Sequence, residues 1–364
     1  VPRFIAPIKI PFHNNRYLPE TKFSLGYAVQ QRINYFTLNS ATASIGYTWR
    51  ETTSKTHALY PIDLTYVQLS RTSEAFNARL DSNRYLANAF QNQFIPGLRY
   101  TYTLNTQLRE QRVEKYTERL IKTSSFYLSA NVDLAGNLLN FYQRNITRPD
   151  DEPFTLFGSL YSQYVRNEID FRYYWQPDLR NKIATRLIVG VGYPYGNSTT
   201  LPYIKQFAIG GANSIRAFPA RSIGPGNYNV RADSAVTRNS NTFFIDQRGD
   251  VKLEANVEYR FDIYKVVKGA VFIDAGNIWL LRNDSTRAGG MFRREEFLKQ
   301  LVVGTGFGLR FDFSFFVLRF DLGIPLRKPV GVVPPQWVIK EFDPLDKNWR
   351  RENLLFNIAI GYPF

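Results

Sequence analysis

Apolar and polar residues alternate one by one along most of this chain, the period of a β-strand whose two faces meet different surroundings. Phe23, Leu25, Tyr27 and Val29 alternate with Ser24, Gly26, Ala28 and Gln30, and Ala43, Ile45, Tyr47 and Trp49 with Ser44, Gly46, Thr48 and Arg50. The pattern returns at Tyr60 to Tyr66, Leu98 to Leu104 and Phe126 to Leu134. It predicts one long strand over 159–175, then another whose Leu187, Val189, Val191 and Tyr193 share a face opposite Arg186, Gly190 and Gly192. From Lys252 to Ile263 the alternation is unbroken, with Leu253, Ala255, Val257, Tyr259, Phe261 and Ile263 on one side and Lys252, Glu254, Asn256, Glu258, Arg260 and Asp262 on the other. Further strands are predicted at 268–279, where Val271, Ile273 and Trp279 share the apolar face, and at 301–313, 316–326 and 353–364, the last with Tyr362 and Phe364 on its apolar face. With a partial strand at Arg3 to Pro11, the chain reads as about 13 strands. The hydrophilic segments 71–90, 107–119 and 140–153 read as connections longer than hairpin turns.

In a soluble sandwich the apolar face of such strands would form a core and the charged face would meet water. The lengths point elsewhere. They are closer to the roughly 9 to 11 residues that a tilted strand needs to cross a bilayer than to the roughly 5 to 6 of globular sheets. The polar face also mixes small residues with charges, which suits an enclosed lumen. Composition agrees: Phe, Tyr and Trp make up 16% of residues, while the mean hydropathy is only -0.31. No run of roughly 20 apolar residues is available for a membrane helix, so a helical bundle is excluded and a strand-built membrane protein is not. The expected fold class is all-β, a transmembrane antiparallel β-barrel.

Charge changes the picture little. The net charge of +15 invites a nucleic-acid reading, but the Lys and Arg residues are scattered at strand ends without a basic block or a known nucleic-acid motif. Anionic lipid or lipopolysaccharide headgroups suit that distribution, and no nucleic-acid partner is expected. Cysteine is absent, so structural disulfides and thiolate metal sites are excluded. The two histidines, His13 and His57, lie apart in segments that read as loops and make no metal pair. No nucleophile elbow or P-loop occurs, and the glycines of GTGFG fall on a strand. We expect no enzyme activity, metal or cofactor.

One stretch departs from alternation. Residues 210–226, GGANSIRAFPARSIGPG, combine backbone-shaping glycines and prolines with Ile215, Arg216, Ala217 and Phe218, residues that look designed for burial. A loop carrying its own apolar anchors folds into a cavity, whereas a solvated connection is polar throughout.

Taken together, GGANSIRAF, VEYRF at 257–261, VFIDAGNIW at 271–279, GTGFGLRFD at 304–312 and a terminal strand ending in Phe364 resemble the BamA/TamA family of outer-membrane assembly proteins. The resemblance covers the C-terminal barrel portion of that family. Within it, LPYIKQFAIGGANSIRAFPARSIGPG looks most like the TamA-like (TamL) proteins of Bacteroidota. The resemblance implies a barrel of the 16-stranded type spanning 1–364, with 196–251 as a long lumen-inserting loop between strands eleven and twelve. Five strands are read after that loop and eight before it, so the first three are expected to be missing from this chain, as are the periplasmic POTRA domains. It further implies that Arg216 reaches into the lumen with Gly210, Gly211, Ile215 and Phe218 shaping the loop, and that Glu258, Asp274 and Gly276 receive it on the inner wall. The family commonly has glycine where this chain has Ala217.

The function implied is insertion or assembly of β-barrel proteins in the bacterial outer membrane, through a seam between the first and last strands. Gly361 and Pro363 would weaken that seam, and Tyr362 and Phe364 would form the terminal assembly signal. Nascent outer-membrane proteins, outer-membrane lipid and lipopolysaccharide, a periplasmic TamB-like partner and accessory subunits at the surface or in the periplasm are the partners expected. The alternative is a protein-export or lipid-transfer conduit working with the same periplasmic partner.

Overall fold

A computed structural model of the chain describes residues 1, 3, 5, 17–108, 124–147, 155–156, 158–228, 246–313, 315–330 and 333–364. It divides into two units. The first contains β1 (Glu20–Arg32), β2 (Phe36–Arg50), β3 (Lys55–Thr72) and β4 (Gln93–Asn105), with helices α1 (Glu74–Ser82) and α2 (Arg84–Ala89) between β3 and β4. β5 (Ser124–Ala135) runs through both units. After it, the first unit adds helix α3 (Asn137–Tyr142) and a two-stranded hairpin, β6 (Thr155–Leu156) with β7 (Ser159–Leu160). β8 (Tyr164–Trp175) and β9 (Asn181–Pro194) likewise run through both. The second unit holds β10 (Val251–Tyr264), β11 (Val267–Trp279), β12 (Val302–Asp312), β13 (Val317–Val330), β14 (Val333–Trp337), helix α4 (Lys347–Asn353) and β15 (Leu355–Ile360). All strands but the hairpin belong to one sheet in chain order, except that β15 pairs with β13 beside β14.

Burial is inverted relative to a soluble sheet. On β10, Val257 and Tyr259 are exposed while Glu254, Asn256, Glu258 and Arg260 are buried, and on β12 Phe307 and Leu309 are exposed while Arg310 is buried. On β9, Leu187, Val189, Val191 and Tyr193 are exposed and Gly190 lies under the Phe207 ring. Water outside and an apolar core inside would place these residues the other way round. Lipid outside and a polar interior place them as they are.

Several expectations need correction. Ser159 and Leu160 belong to the β6–β7 hairpin, so the strand predicted over 159–175 begins only at Tyr164. The supposed hydrophilic connection at 71–90 forms α1 and α2, capped by Ser73 and Asn83, whose side chains accept from Phe76 N–H and Leu86 N–H. Phe76 and Phe90 then pack with Phe36, Leu38, Val67, Ile95, Leu201 and Tyr203 into an apolar core on the inner face of the first unit. His57 lies on β3 rather than in a loop, 2.8 Å from the Tyr100 hydroxyl and stacked on Trp49. Trp279 is fully buried against Phe292 and Phe297, because its Nε1–H donates to Gln300 Oε1 at 2.5 Å. The last strand stops at Ile360: Gly361 has a φ of 85° and turns the chain, so Phe364 is buried beside Tyr174 and Ala184 instead of extending the apolar face. Most of the partial strand at Arg3 to Pro11, most of 107–119 and His13 lie outside the described residues.

Candidate functional site

The stretch 210–226 folds against the buried faces of β10 to β13, within the second unit. Gly210 and Gly211 take φ values of 102° and 91°, which side chains with a Cβ rarely adopt. The turn they make closes through Gly211 N–H to Phe218 O, 2.8 Å, and Phe218 N–H to Ile215 O, 3.1 Å. Ser214 Oγ accepts from Gly210 N–H and donates to Glu254 Oε2, and Asn256 Nδ2 donates to Ser214 O. Ile215 and Ala217 face glycines on the strands: a Cβ on Gly276 would sit 3.0 Å from Ile215 Cδ1, and one on Gly304 would collide with Ala217 Cβ. Gly323 lies equally close, since a Cβ there would stand 2.7 Å from Ala217 Cα. The loop is thus seated where three strands lack side chains.

Arg216, at the tip, is fully buried. Its Nε and Nη2 donate to the two oxygens of Asp274 at 2.9 Å each, a bidentate pair, and its backbone N–H donates to Asp274 Oδ2 at 3.0 Å. Nη1 donates to Glu258 Oε2, and the guanidinium lies 3.5 Å from the centre of the Phe272 ring. Burial opposes its charge, but the hydrogen bonds to Asp274 and the charges of Asp274 and Glu258 hold it above the ordinary guanidinium range. It is a cation at every pH the protein meets. Its carbonyl accepts from Asn357 Nδ2, 2.8 Å, which ties the loop to β15.

The carboxylates are shared further than the sequence reading foresaw. Glu258 also accepts from Arg260 Nε at 2.6 Å and Arg310 Nη2 at 3.3 Å. Arg310 Nη1 reaches Asp321 at 2.5 Å, and Arg319 Nε lies 3.2 Å from the same carboxylate. Arg319 Nη2 donates to Ala212 O and Asn213 Oδ1, so a second arginine grips the loop. Alternation placed Arg310, Arg319 and Asp321 on the polar face, but only the register, with Arg310 opposite Arg319, brings them together. Four buried arginines here meet three buried carboxylates. Such a network is costly to break, because losing one member strands the others without solvent.

The far end of the stretch is held separately. Gly226 N–H donates to Ile278 O and Asn227 N–H to Gly289 O, and Asn277 Nδ2 donates to Gly226 O. Gly289 belongs to a turn organised by Asp284, which accepts from Thr286 N–H and Oγ1 and from Arg287 Nε. Burial alone would raise the Asp284 carboxyl, but Arg287 and Thr286 outweigh it and hold it below its ordinary value.

The predicted terminal residues fall elsewhere on the same inner wall. Phe364 O accepts from Arg260 Nη2 at 3.2 Å, and the Arg260 guanidinium lies 4.5 Å from the Tyr362 ring centre and 5.6 Å from that of Phe364. Pro363 is buried and Gly361 supplies the turn. Arg260 therefore links the end of the chain to the carboxylate that holds Arg216.

A family model described as the Omp85 superfamily domain matches residues 9–340. Among solved structures, BamA from Haemophilus ducreyi lacking POTRA domains 1-3 is similar at 15% identity with a TM-score of 0.59, over 94% of this chain and 61% of that one. CdiB from Escherichia coli is similar at 11% identity with a TM-score of 0.47, over 94% of this chain and 49% of that one. This chain spans 61% of the length of the BamA structure it matches. A search of curated sequences returns no match.

Proposed function

Because the chain belongs to the Omp85 superfamily, whose fold is an antiparallel transmembrane β-barrel, we propose that it helps insert or assemble β-barrel proteins in the bacterial outer membrane. The reading is non-enzymatic. The chain's own backbone edge does the work, and the buried charges serve to keep the loop and the wall in one arrangement. The TamA-like kind found in Bacteroidota, with a periplasmic TamB-like partner, is the narrower assignment, supported by the motif at 201–226.

The observation that carries the proposal is the terminal strand. Among the described residues β15 pairs with β13 over six positions, from Leu355 to Ile360, before Gly361 turns the chain inward. A terminal strand with so short a ladder makes a weak seam, at which another strand can pair by its backbone N–H and C=O groups. Asn357, on that same strand, holds Arg216 O, so the edge is presented from a fixed support while Arg216 stays locked to Asp274 and Glu258. A client strand would add to β15 by backbone hydrogen bonds, which need no particular client sequence.

The chain has no cysteine, so Ala359→Cys in the full protein gives a single reactive position on β15. Disulfide capture of a client's terminal strand at this position, together with loss of other barrels from the outer membrane on depletion, is the expected result. Normal barrel levels with disturbed lipid asymmetry would instead support the lipid-transfer reading and overturn this one.

A further inference from the structure

We propose that the outer face of β3, β4 and β5 carries a groove, roofed by α3, that binds one acyl chain of an outer-leaflet lipid. It rests on the membrane reading above but not on the assembly function.

The first observation is that α3 and the π-helical turn after it, Gln143–Thr147, have the wrong face outward for water. Leu138, Phe141, Tyr142 and Ile146 are 77%, 66%, 48% and 63% exposed. The polar Asn140 is buried, with its Nδ2 donating to the Tyr161 hydroxyl at 3.4 Å. A helix at an aqueous surface buries its apolar side chains and turns its amides outward. This segment turns four large apolar side chains outward, as an interfacial helix does when hydrocarbon lies beside it. It is placed there by Gly136, whose φ of 73° turns the chain out of β5 and whose N–H donates to Pro96 O at 2.8 Å.

The second observation is the space beneath. A cavity of about 610 Å³ lies between α3 and outward side chains of the strands, including Ile62, Leu64, Pro96 and Leu134, with Leu138 and Tyr142 contributed from the helix. Among the described residues that line it, Asn137 and the Tyr142 hydroxyl are the polar groups, and Asn137 Oδ1 is already engaged as acceptor by the Tyr195 hydroxyl. Among the described residues the lining offers no charged side chain to a headgroup or a polar peptide. Hydrocarbon is the chemistry that fits. Leu64 and Phe94 also border a second trough of about 600 Å³, shallow because its floor is Gly26, Ala41 and Ala43, so the groove continues along the lipid-facing surface. Its depth identifies the leaflet. α3 leaves the end of β5, the end at which β9 also enters the long loop, and that loop is extracellular in the superfamily reading. At that level a tyrosine hydroxyl can stay with headgroups while its ring and the leucines meet acyl chains.

The test uses the full protein in nanodiscs of phosphatidylethanolamine and lipid A, doped with a phosphatidylethanolamine that carries a diazirine in its acyl chain. Cross-links mapped by mass spectrometry should favour Leu134, Leu138, Leu139 and Tyr142 over the lipid-facing but ungrooved Val189 and Val191 by about fivefold, the ratio that a preference of about 1 kcal/mol would give. Leu134→Trp, which fills the groove from the strand side, should bring labelling at Leu138 down to the level of Val189 while heat-modifiable mobility of the folded barrel is kept. Equal labelling at all exposed positions would mean bulk lipid only and overturn the proposal. So would protein cross-links at α3 with no lipid label, which would assign the groove to a partner. If Val189 and Val191 are themselves unlabelled, it is the membrane reading that fails.

Discussion

Replacing Arg216 by alanine tests the central arrangement, and its size follows from what is left behind. The substitution removes two hydrogen bonds to Asp274 and one to Glu258, while both carboxylates stay fully buried. Removing one partner of a buried pair costs about 3–5 kcal/mol. Asp274 would still accept from the loop N–H of residue 216 and from Asn256, and Glu258 from Arg260 and Arg310. These remaining donors put the expected value at the lower end, ~3 kcal/mol, or roughly a hundredfold more time spent with the loop released. The assay is the rate of proteolytic cleavage within 210–226 of the folded full protein in detergent, at protease levels where cleavage follows the open population. Asp274→Ala should cost at least as much, since it also frees the loop N–H. The double mutant should fall short of the sum by about 2 kcal/mol, the coupling expected of residues in one network. Effects that add to within about 0.5 kcal/mol would mean the pair does not hold the loop. Arg216→Lys should recover less than half of the loss, because a single ammonium cannot reproduce the planar fork.

Other outcomes follow from the same contacts. Arg319→Ala should loosen the turn at Ala212 and Asn213 by about 1.5–3 kcal/mol, the range for hydrogen bonds to a charged group, read by the same proteolysis and expected to be smaller than the Arg216 effect. Gly304→Ala places a Cβ into Ala217 and should destabilise by about 1–3 kcal/mol as overpacking does, with Ala217→Gly restoring most of it in a urea titration. The Asp284 carboxyl is held below its ordinary 3.8, so its contribution is complete above that value and lost as pH falls through the lower folded-state value. The stability difference between the protein and an Arg287→Gln variant should therefore shrink on acidification below about 4, and a constant difference would count against the pairing. Deleting Phe364 removes a buried ring and the acceptor of Arg260, and should reduce the yield of heat-modifiable barrel during assembly.

The alternation of single residues was enough to identify most of the long strands and to say which face of each is apolar, though it joined β7 to β8 and missed β14. Val257 against Glu258, or Phe307 against Arg310, needs no partner to be recognised, because a strand's two faces are fixed by local geometry. The strand lengths and aromatic content also distinguished lipid from an apolar core as the surroundings of that face. The loop 210–226 stood out for the same reason, as apolar residues and glycines in a stretch without a period. What the sequence could not supply was the meeting of distant positions. Arg310, Arg319 and Asp321 were legible as inward-facing charges, but their join to Glu258 and to the loop at Ala212 depends on strand register, which follows from pairing and not from composition. Asn357 holding Arg216 O, and the turn at Gly361 that carries Phe364 onto Tyr174, are contacts between residues far apart in the chain. So is the outward face of α3, of which only residues 140–142 fall in the stretch 140–153 read as a hydrophilic connection, and which shows its apolar face once Asn140 is buried against Tyr161. Local periodicity determined the faces, because each residue carries that information itself. The tertiary structure decided the partners, because burial and hydrogen bonding are properties of pairs.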